Sequence, residues 1–141
     1  MTQPRILTTH VGSLPRPQDV VDLIFAKERG DAFDQSTFDQ TMQKAVREVI
    51  SRQIQSGIDI VSDGEMSKIS YATYIKDRYS GFDGDSPRRT PADLEAFPGF
   101  LTKIGQRGGT PTYRRPCCVG AICLRDDRPL KMDLANLADR K

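Results

Sequence analysis

The sequence predicts an α/β protein with a parallel sheet, and two observations support this. Runs of β-branched and apolar residues alternate with segments in which apolar residues recur every three or four positions. The connections between the runs are long enough for helical crossovers, which place successive strands parallel in one sheet. With 141 residues, the chain has room for about one domain.

The first predicted strand and helix lie between residues 5 and 30. RILTTHV at 5–11 is apolar and β-branched, so it predicts a buried strand, and the glycine and prolines that follow predict a turn. Pro17 suits the first position of a helix that Gly30 would end. One side of this helix is apolar and should face the core, through Val20, Val21, Ile24 and Phe25.

A second helix and a second strand follow. Ser36 and Asp39 have the spacing of a capping box. Apolar residues three or four positions apart then predict about five helical turns that end at Gly57. They are Phe38, Met42, Ala45, Val46, Val49, Ile50 and Ile54. The apolar run 58–61 predicts the second strand, bounded by Gly57 and Gly64.

SKISYATYIKDRYSG at 67–81 predicts a third helix with an aromatic side. We expect that side to cover the barrel rather than line a cleft, through Tyr71, Tyr74 and Tyr79. The range 81–116 holds most of the prolines and glycines, so we predict a long excursion rather than a packed layer. Within it, the sequence predicts a short helix at 92–96 and a hairpin around Gly108 and Gly109.

The last elements are a third strand and a closing helix. CCVGAICL at 117–124 predicts the strand, with its cysteines as small buried apolar residues. RPLKMDLANLADRK predicts a helix with Leu130, Leu134 and Leu137 on one face. Three cysteines, an odd number close together, do not form a disulfide framework and indicate a reducing compartment.

Right-handed crossovers would align the carboxyl ends of the three strands at one side, where parallel α/β proteins bind ligands. His10 and Ser13 follow the first strand, and Asp63 and Glu65 follow the second, so we expect the two polar groups to share that side. Three strands with two open edges do not complete a sheet. Because a (β/α)8 barrel takes about 250 residues, we interpret 1–141 as a single incomplete barrel domain that is prone to self-association.

Charge and hydropathy exclude other classes. The 21 basic and 19 acidic residues leave a net charge of +2, and the basic pairs are isolated, so nucleic-acid binding is not indicated. No run approaches the ~18 apolar residues of a membrane span, and the first residues lack a secretory pattern. The sequence therefore predicts a cytoplasmic protein without a membrane or nucleic-acid partner.

Two motifs then carry a resemblance to a known family. TTHVGSLPRP at 8–17 and SGIDIVSDGEMSK at 56–68, with YSGF at 79–82, resemble the cobalamin-independent methionine synthase family, meaning its C-terminal catalytic barrel and stand-alone homologues. The resemblance covers nearly the whole chain but only the front portion of the family's barrel. It implies a TIM (β/α)8 barrel and a zinc-dependent transferase that passes a methyl group from a methyl-tetrahydrofolate-type donor to the thiol of homocysteine.

The resemblance also implies site residues. The turn Val11, Gly12 and Ser13 would hold the amino-acid part of the thiol substrate, and Glu65 would bind its amino group. The family's zinc ligands come from later strands and have no matching position here. The chain is therefore expected to ligate no zinc fully, to be truncated and to be inactive alone.

Alternatives remain open at the level of the residues. One alternative is a coenzyme M or other thiol alkyl transferase or lyase of the same family. The other is an inactive or oligomerising barrel fragment. Asp63 either contacts substrate or caps the next helix, and the alternative for Ser13 is a turn residue only. His10 is expected to be a hydrogen-bonded structural residue, with a zinc site shared with Cys117 or Cys118 as the less favoured alternative.

Overall fold

The structure is a computed structural model that describes residues 5–86, 92–106 and 115–139. Within those ranges the chain is an α/β protein, mostly helical, with one small two-stranded antiparallel sheet. In chain order the elements are α1 (Gln18–Arg29), α2 (Gln35–Gln55), α3 (Tyr71–Arg78), β1 (Phe82–Asp83), α4 (Pro98–Gln106), β2 (Cys117–Cys118) and α5 (Arg128–Ala138).

Helix α1 confirms the predicted apolar side and the predicted stop. Val20, Ile24 and Phe25 are buried. Gly30 ends the helix in the left-handed conformation with φ of 77°, where a side chain would be strained. The prediction for Pro17 is wrong by one position, because Pro17 precedes the helix as its N-cap and Gln18 is the first helical residue.

Helix α2 begins earlier than the sequence predicts. The Asp34 carboxylate accepts a hydrogen bond from the Thr37 backbone N–H at 2.6 Å, so Asp34 is the N-cap and the predicted capping box at Ser36 is wrong. Gly57 lies just beyond the helix with φ of 78°. Ile54, predicted to be in the core, is 58% exposed.

The core lies between α1, α2 and the loop that follows residue 61. Its most buried large side chains are Met42, Met66 and Val20. Buried residues on α2 face this cluster at helical spacing, as predicted from the sequence. The cluster consists of Val20, Ile24, Phe25, Phe38, Met42, Ala45, Val46, Val49, Ile50, Met66 and Ile69.

The two predicted N-terminal strands do lie parallel, but they form only an isolated bridge between Thr9 and Ile60. Their predicted burial is wrong, since Ile6 is 91% exposed, Val11 81% and Ile60 54%. Val61 packs against the core, whereas the apolar side chains just named stay exposed among the described residues. A (β/α)8 barrel is therefore not formed by the described residues. The predicted self-association through open edges stays a prediction.

Buried Gln53 anchors the second of these segments to α2. Its side-chain amide donates to the Ser62 carbonyl at 2.8 Å, and its side-chain oxygen accepts from the Ser62 N–H at 3.0 Å. This two-way bond satisfies a buried polar side chain and the backbone of the extended segment together. It fixes the position at which the chain leaves the segment and turns.

The Asp59 carboxylate joins the two parallel segments. It pairs with Arg5 and accepts hydrogen bonds from the Thr8 N–H at 2.9 Å and the Thr8 hydroxyl at 3.0 Å. The Arg5 and Thr8 hydrogen bonds lower the pKa of Asp59 to about 2.

We expect this carboxylate to make folding pH-dependent in the acid range. A carboxyl pKa that is lower in the folded chain stabilises it above the unfolded pKa, near 3.9, and that contribution is lost as the pH falls toward 2. Thermal melts between pH 5 and pH 2 should therefore show a smaller decrease in Tm for Asp59→Asn than for the wild type. Equal decreases in both proteins would contradict the assignment.

The predicted third strand at 117–124 is wrong in its direction of pairing and its length. Cys117–Cys118 pairs antiparallel with Phe82–Asp83, and Leu124 forms an antiparallel bridge with Tyr79. The segment therefore packs against the chain that follows α3 instead of extending the parallel pair. Close approach requires Gly81, because a Cβ there would lie 2.5 Å from the Ala121 carbonyl oxygen.

The cysteines are exposed rather than buried, which contradicts the prediction for Cys117, Cys118 and Cys123. Both residues of the two-residue strand β2 are exposed, and Cys123 lies outside that strand. All three are free thiols.

Two predictions fall in the excursion. Residues 92–96 form turns, and the helix lies further on at Pro98–Gln106, so the predicted position of the helix is wrong. Backbone bonds from Phe100 and Leu101 to the Phe97 carbonyl begin that helix. The hairpin predicted around Gly108 and Gly109 lies outside the described residues.

Helix α5 confirms the predicted closing helix but presents a different face to the core. Leu130 and Leu134 are 37% and 57% exposed, while Asn136 is buried and Leu137 packs against the core cluster. The Asp139 carboxylate accepts from Gln43 at 2.9 Å and pairs with Arg47, and these bonds to α2 set the rotation of α5. Of the helices described, none is long and apolar enough to cross a membrane.

Candidate functional site

Ser13 and Glu65 come together at the end of the two parallel segments. The Ser13 hydroxyl donates to the Glu65 carboxylate at 2.5 Å, although the two residues are 52 positions apart. Next to them the Leu14 N–H donates to the Gly64 carbonyl at 3.0 Å. This contact confirms that the two polar groups share one side of the parallel pair, and we call it the Ser13–Glu65 site.

The turn that presents Glu65 is left-handed at two successive residues. Gly64 has φ of 62° and Glu65 has φ of 57°, and Glu65 is the one non-glycine residue with positive φ among those described. A Cβ at position 64 would also lie 3.1 Å from the Met66 side chain and 3.2 Å from Leu14. Glycine is therefore required at 64, whereas glutamate at 65 accepts strain, which is frequent at functional positions.

This strain can be measured by comparing two variants that both remove the carboxylate. Glu65→Gly and Glu65→Ala lose the same bond to Ser13, but only glycine adopts positive φ without steric cost. We expect Glu65→Gly to be more stable than Glu65→Ala by about 1 kcal/mol in urea unfolding. At Gln35, the first residue of α2, the same comparison should favour alanine, and a preference for alanine at 65 would contradict the strained turn.

Asp63 stabilises the turn from inside it. One carboxylate oxygen accepts from the Glu65 N–H at 2.9 Å, and the other pairs with Lys68 at 2.9 Å. The alternative that Asp63 caps the next helix is wrong, because Ser70 caps α3 in a capping box with Thr73. Contact of Asp63 with substrate stays a prediction.

Lys68 connects the turn to α5. Its ammonium group lies between Asp63 and Asp133, at 2.9 Å and 3.1 Å, and its side chain is only 13% exposed. Burial acts to lower the pKa of Lys68, but the bonds and charges of the two carboxylates outweigh it and the pKa is raised. Ser67 donates to the same Asp133 at 2.6 Å, so the turn is tied to α5 at two points.

A cleft of about 380 Å³ opens beside this connection, bordered by α1, α2, α3 and α5. Tyr74 lines it, which contradicts the expectation that this tyrosine covers the barrel, and its ring lies 4.6 Å from the Lys68 ammonium. Burial and the neighbouring Asp133 raise the pKa of Tyr74 to about 12. Tyr74 is therefore a neutral phenol at ordinary pH.

Arg16 contacts the Ser13–Glu65 site, and this residue was not predicted from the sequence. Its guanidinium donates to the Glu65 carbonyl at 3.0 Å, to the Lys68 carbonyl at 2.8 Å and to the Ser13 hydroxyl at 3.2 Å. Burial lowers the pKa of Arg16, while the charges of Glu65 and Asp63 act to raise it. The signal in the sequence was a charged residue inside the first motif, in a segment interpreted only as a turn.

The other residues predicted for the site lie on its approach. Val11 is exposed, and Gly12 has φ of 95° with open space where a Cβ would be. His10 lines a second cleft of about 280 Å³ with Leu14 and Arg52. Its Nε2 atom is buried without a hydrogen-bond partner in the described part of the chain, so the expected structural hydrogen bond is not made at that atom.

The zinc alternative for His10 requires three or more ligating side chains close together. Across residues 5–86, 92–106 and 115–139, there is no group of three histidine, cysteine, aspartate or glutamate side chains that could hold a metal ion. The described residues therefore do not fit the family's zinc, and His10 does not form a site with Cys117 or Cys118.

Fold and geometry together define an α/β protein with a polar side-chain cluster at the carboxyl ends of two neighbouring parallel segments. Residues 6–85 match the family model described as the catalytic domain of the cobalamin-independent synthase. This match covers more than half of the chain, and the chain belongs to that family. The resemblance carried by the two motifs is confirmed.

Curated relatives agree with the family. A protein named methionine synthase from Sulfolobus acidocaldarius is 28% identical over 131 residues, which are 93% of this chain and 33% of the relative. Two proteins named 5-methyltetrahydropteroyltriglutamate–homocysteine methyltransferase, from Parvibaculum lavamentivorans and Mycolicibacterium paratuberculosis, are 28% and 29% identical over 79 residues. Those residues are 56% of this chain and 10% of each relative. The chain thus spans a third or less of the length of these relatives.

Proposed function

We propose that this chain provides the amino-acid-binding part of a thiol S-methyltransferase, with homocysteine as the thiol and a methyl-tetrahydrofolate-type molecule as the donor. The observation that carries the proposal is the contact between the Ser13 hydroxyl and the Glu65 carboxylate at 2.5 Å. Family membership and the names of the relatives support the reaction.

The chemistry of the pair suits an amino acid. A carboxylate at the end of two extended segments can accept a charge-assisted hydrogen bond from a substrate ammonium group, and a serine hydroxyl can accept or donate beside it. Glu65 is held by a strained turn and Ser13 by a glycine turn, so both groups are fixed before substrate arrives. Such positioning lowers the entropy cost of orienting the thiol.

We propose that activation of the thiol depends on residues other than those that the structure describes. In the family, zinc stabilises the thiolate form of the substrate at neutral pH, and no step is assigned to it here because the residues present do not fit it. We further propose that the parallel pair formed by residues 5–11 and 58–62 is the start of a (β/α)8 barrel. The exposed apolar side chains Ile6, Val11 and Ile60 support this, because barrel neighbours would cover them.

Calorimetric titration of the chain with reduced L-homocysteine tests the proposal. We expect saturable binding with a Kd of about 1 mM, as suits one charged contact and a few weak ones. Coenzyme M, a thiol without an amino group, should not bind at the same concentrations. Tighter binding of coenzyme M would favour the alternative thiol, and absence of binding by both would contradict the proposed function.

A further inference from the structure

We propose that Arg16 is a positioning residue for substrate, which holds Glu65 and Ser13 in the arrangement that receives an amino group. The inference rests on the proposed function and deepens it. Arg16 itself is not placed against the substrate, and its effect is carried through the two residues that it contacts.

The contacts show how one side chain fixes both groups. Nε and Nη2 of Arg16 donate to the Glu65 carbonyl at 3.2 Å and 3.0 Å. The guanidinium therefore holds the backbone of Glu65, which has positive φ. Nη2 also donates to the Lys68 carbonyl at 2.8 Å, on the far side of the turn. A planar guanidinium with fixed donor directions can bridge these two carbonyls, whereas a lysine ammonium is a single point with rotating donors.

The bond from Arg16 to Ser13 directs the serine proton. Nη2 donates to the Ser13 oxygen at 3.2 Å, and the same hydroxyl donates to Glu65 at 2.5 Å. Because Arg16 supplies hydrogen to one side of the hydroxyl oxygen, the serine proton points toward the carboxylate. An incoming ammonium group then meets a carboxylate whose side chain and backbone are both already held.

The contact with Glu65 predicts a specific effect on ligand preference. Loss of Arg16 should weaken recognition of the amino group, which Glu65 binds, more than recognition of the rest of the molecule. Two ligands separate these effects: L-homocysteine and 4-sulfanylbutanoate, which is homocysteine without its amino group. The wild type should prefer L-homocysteine by about tenfold or more, the ratio that one charge-assisted hydrogen bond provides.

The test compares Arg16→Gln, Arg16→Lys and the control Arg29→Gln in calorimetric titrations with both ligands. Arg29 is a suitable control because it is an exposed arginine at the end of α1, paired with Asp31. We expect Arg16→Gln to bind L-homocysteine about tenfold more weakly and 4-sulfanylbutanoate within twofold of the wild type. Arg16→Lys should recover only part of the lost affinity for L-homocysteine. Arg29→Gln should bind both ligands with the same affinities as the wild type.

Each other outcome overturns the inference. An unchanged preference in Arg16→Gln would show that Arg16 does not position Glu65. An equal loss of affinity for both ligands in Arg16→Gln would assign Arg16 to folding alone. The same conclusion would follow if melting showed Arg16→Gln to be unfolded while Arg16→Lys bound both ligands like the wild type. A wild-type chain that does not distinguish the two ligands would overturn the proposed function, and the role of Arg16 with it.

Discussion

Replacing Glu65 with glutamine is expected to weaken L-homocysteine binding by about tenfold to a hundredfold. Glutamine keeps the size of the side chain and its hydrogen bond with Ser13, but it loses the negative charge that pairs with an ammonium group. Hydrogen bonds to charged groups contribute about 1.5–3 kcal/mol, which corresponds to that range of affinity. Calorimetric titration at pH 7 measures the change directly.

The matched control is Glu48→Gln, at an exposed position on α2. Its affinity for L-homocysteine should equal that of the wild type, because the substitution changes net charge by the same amount away from the site. An equal loss in both variants would mean that overall charge, and not the Ser13–Glu65 site, governs binding.

Replacing Met42 with alanine is expected to cost about 2–5 kcal/mol of unfolding free energy. Met42 is 1% exposed and lies at the centre of the cluster that joins α1, α2 and the loop that carries Met66. The substitution removes buried apolar surface and leaves a cavity that close-packed neighbours fill only in part. Domains are stable by only about 5–15 kcal/mol. A large fraction of the Met42→Ala molecules should therefore be unfolded at moderate urea concentrations.

Met132→Ala is the control for this loss. Met132 is 44% exposed on α5, so its truncation should change the unfolding free energy by less than about 1 kcal/mol. Urea unfolding followed by circular dichroism compares the two variants under one condition. Similar midpoints for Met42→Ala and Met132→Ala would contradict the assignment of the core.

The helices could be predicted from the sequence because their signals are local. The spacing of Phe38, Met42, Val46, Val49 and Ile50 on α2 reflects one buried face, and the structure buries each of them. The start of α2 was missed because Asp34 and Ser36 are both good caps, and only the bond to Thr37 distinguishes them.

The pairing of extended segments could not be predicted with the same success. CCVGAICL has the composition of a buried strand, yet Cys117–Cys118 pairs antiparallel with Phe82–Asp83 and is exposed. Strand partners are chosen by contacts between distant residues, and composition describes only the strand itself. The close approach at Gly81 is such a contact, and no local pattern reveals it.

The residues of the candidate site also fall into those that the sequence predicts and those that it does not. Ser13 and Glu65 were predicted because motifs at two strand ends coincide with a known family, and the structure brings them into contact. Arg16 and Lys68 were missed because their partners are backbone carbonyls and carboxylates that are distant in sequence. A charged residue inside a motif indicates a role only when its contacts are known.

The most direct test of the account is the crystal structure of the chain soaked with L-homocysteine. We expect the substrate ammonium to lie within about 3 Å of the Glu65 carboxylate, the distance of a charge-assisted hydrogen bond, with Ser13 also in contact. Density for homocysteine away from Glu65, or in the site with its amino group turned from the carboxylate, would contradict the account.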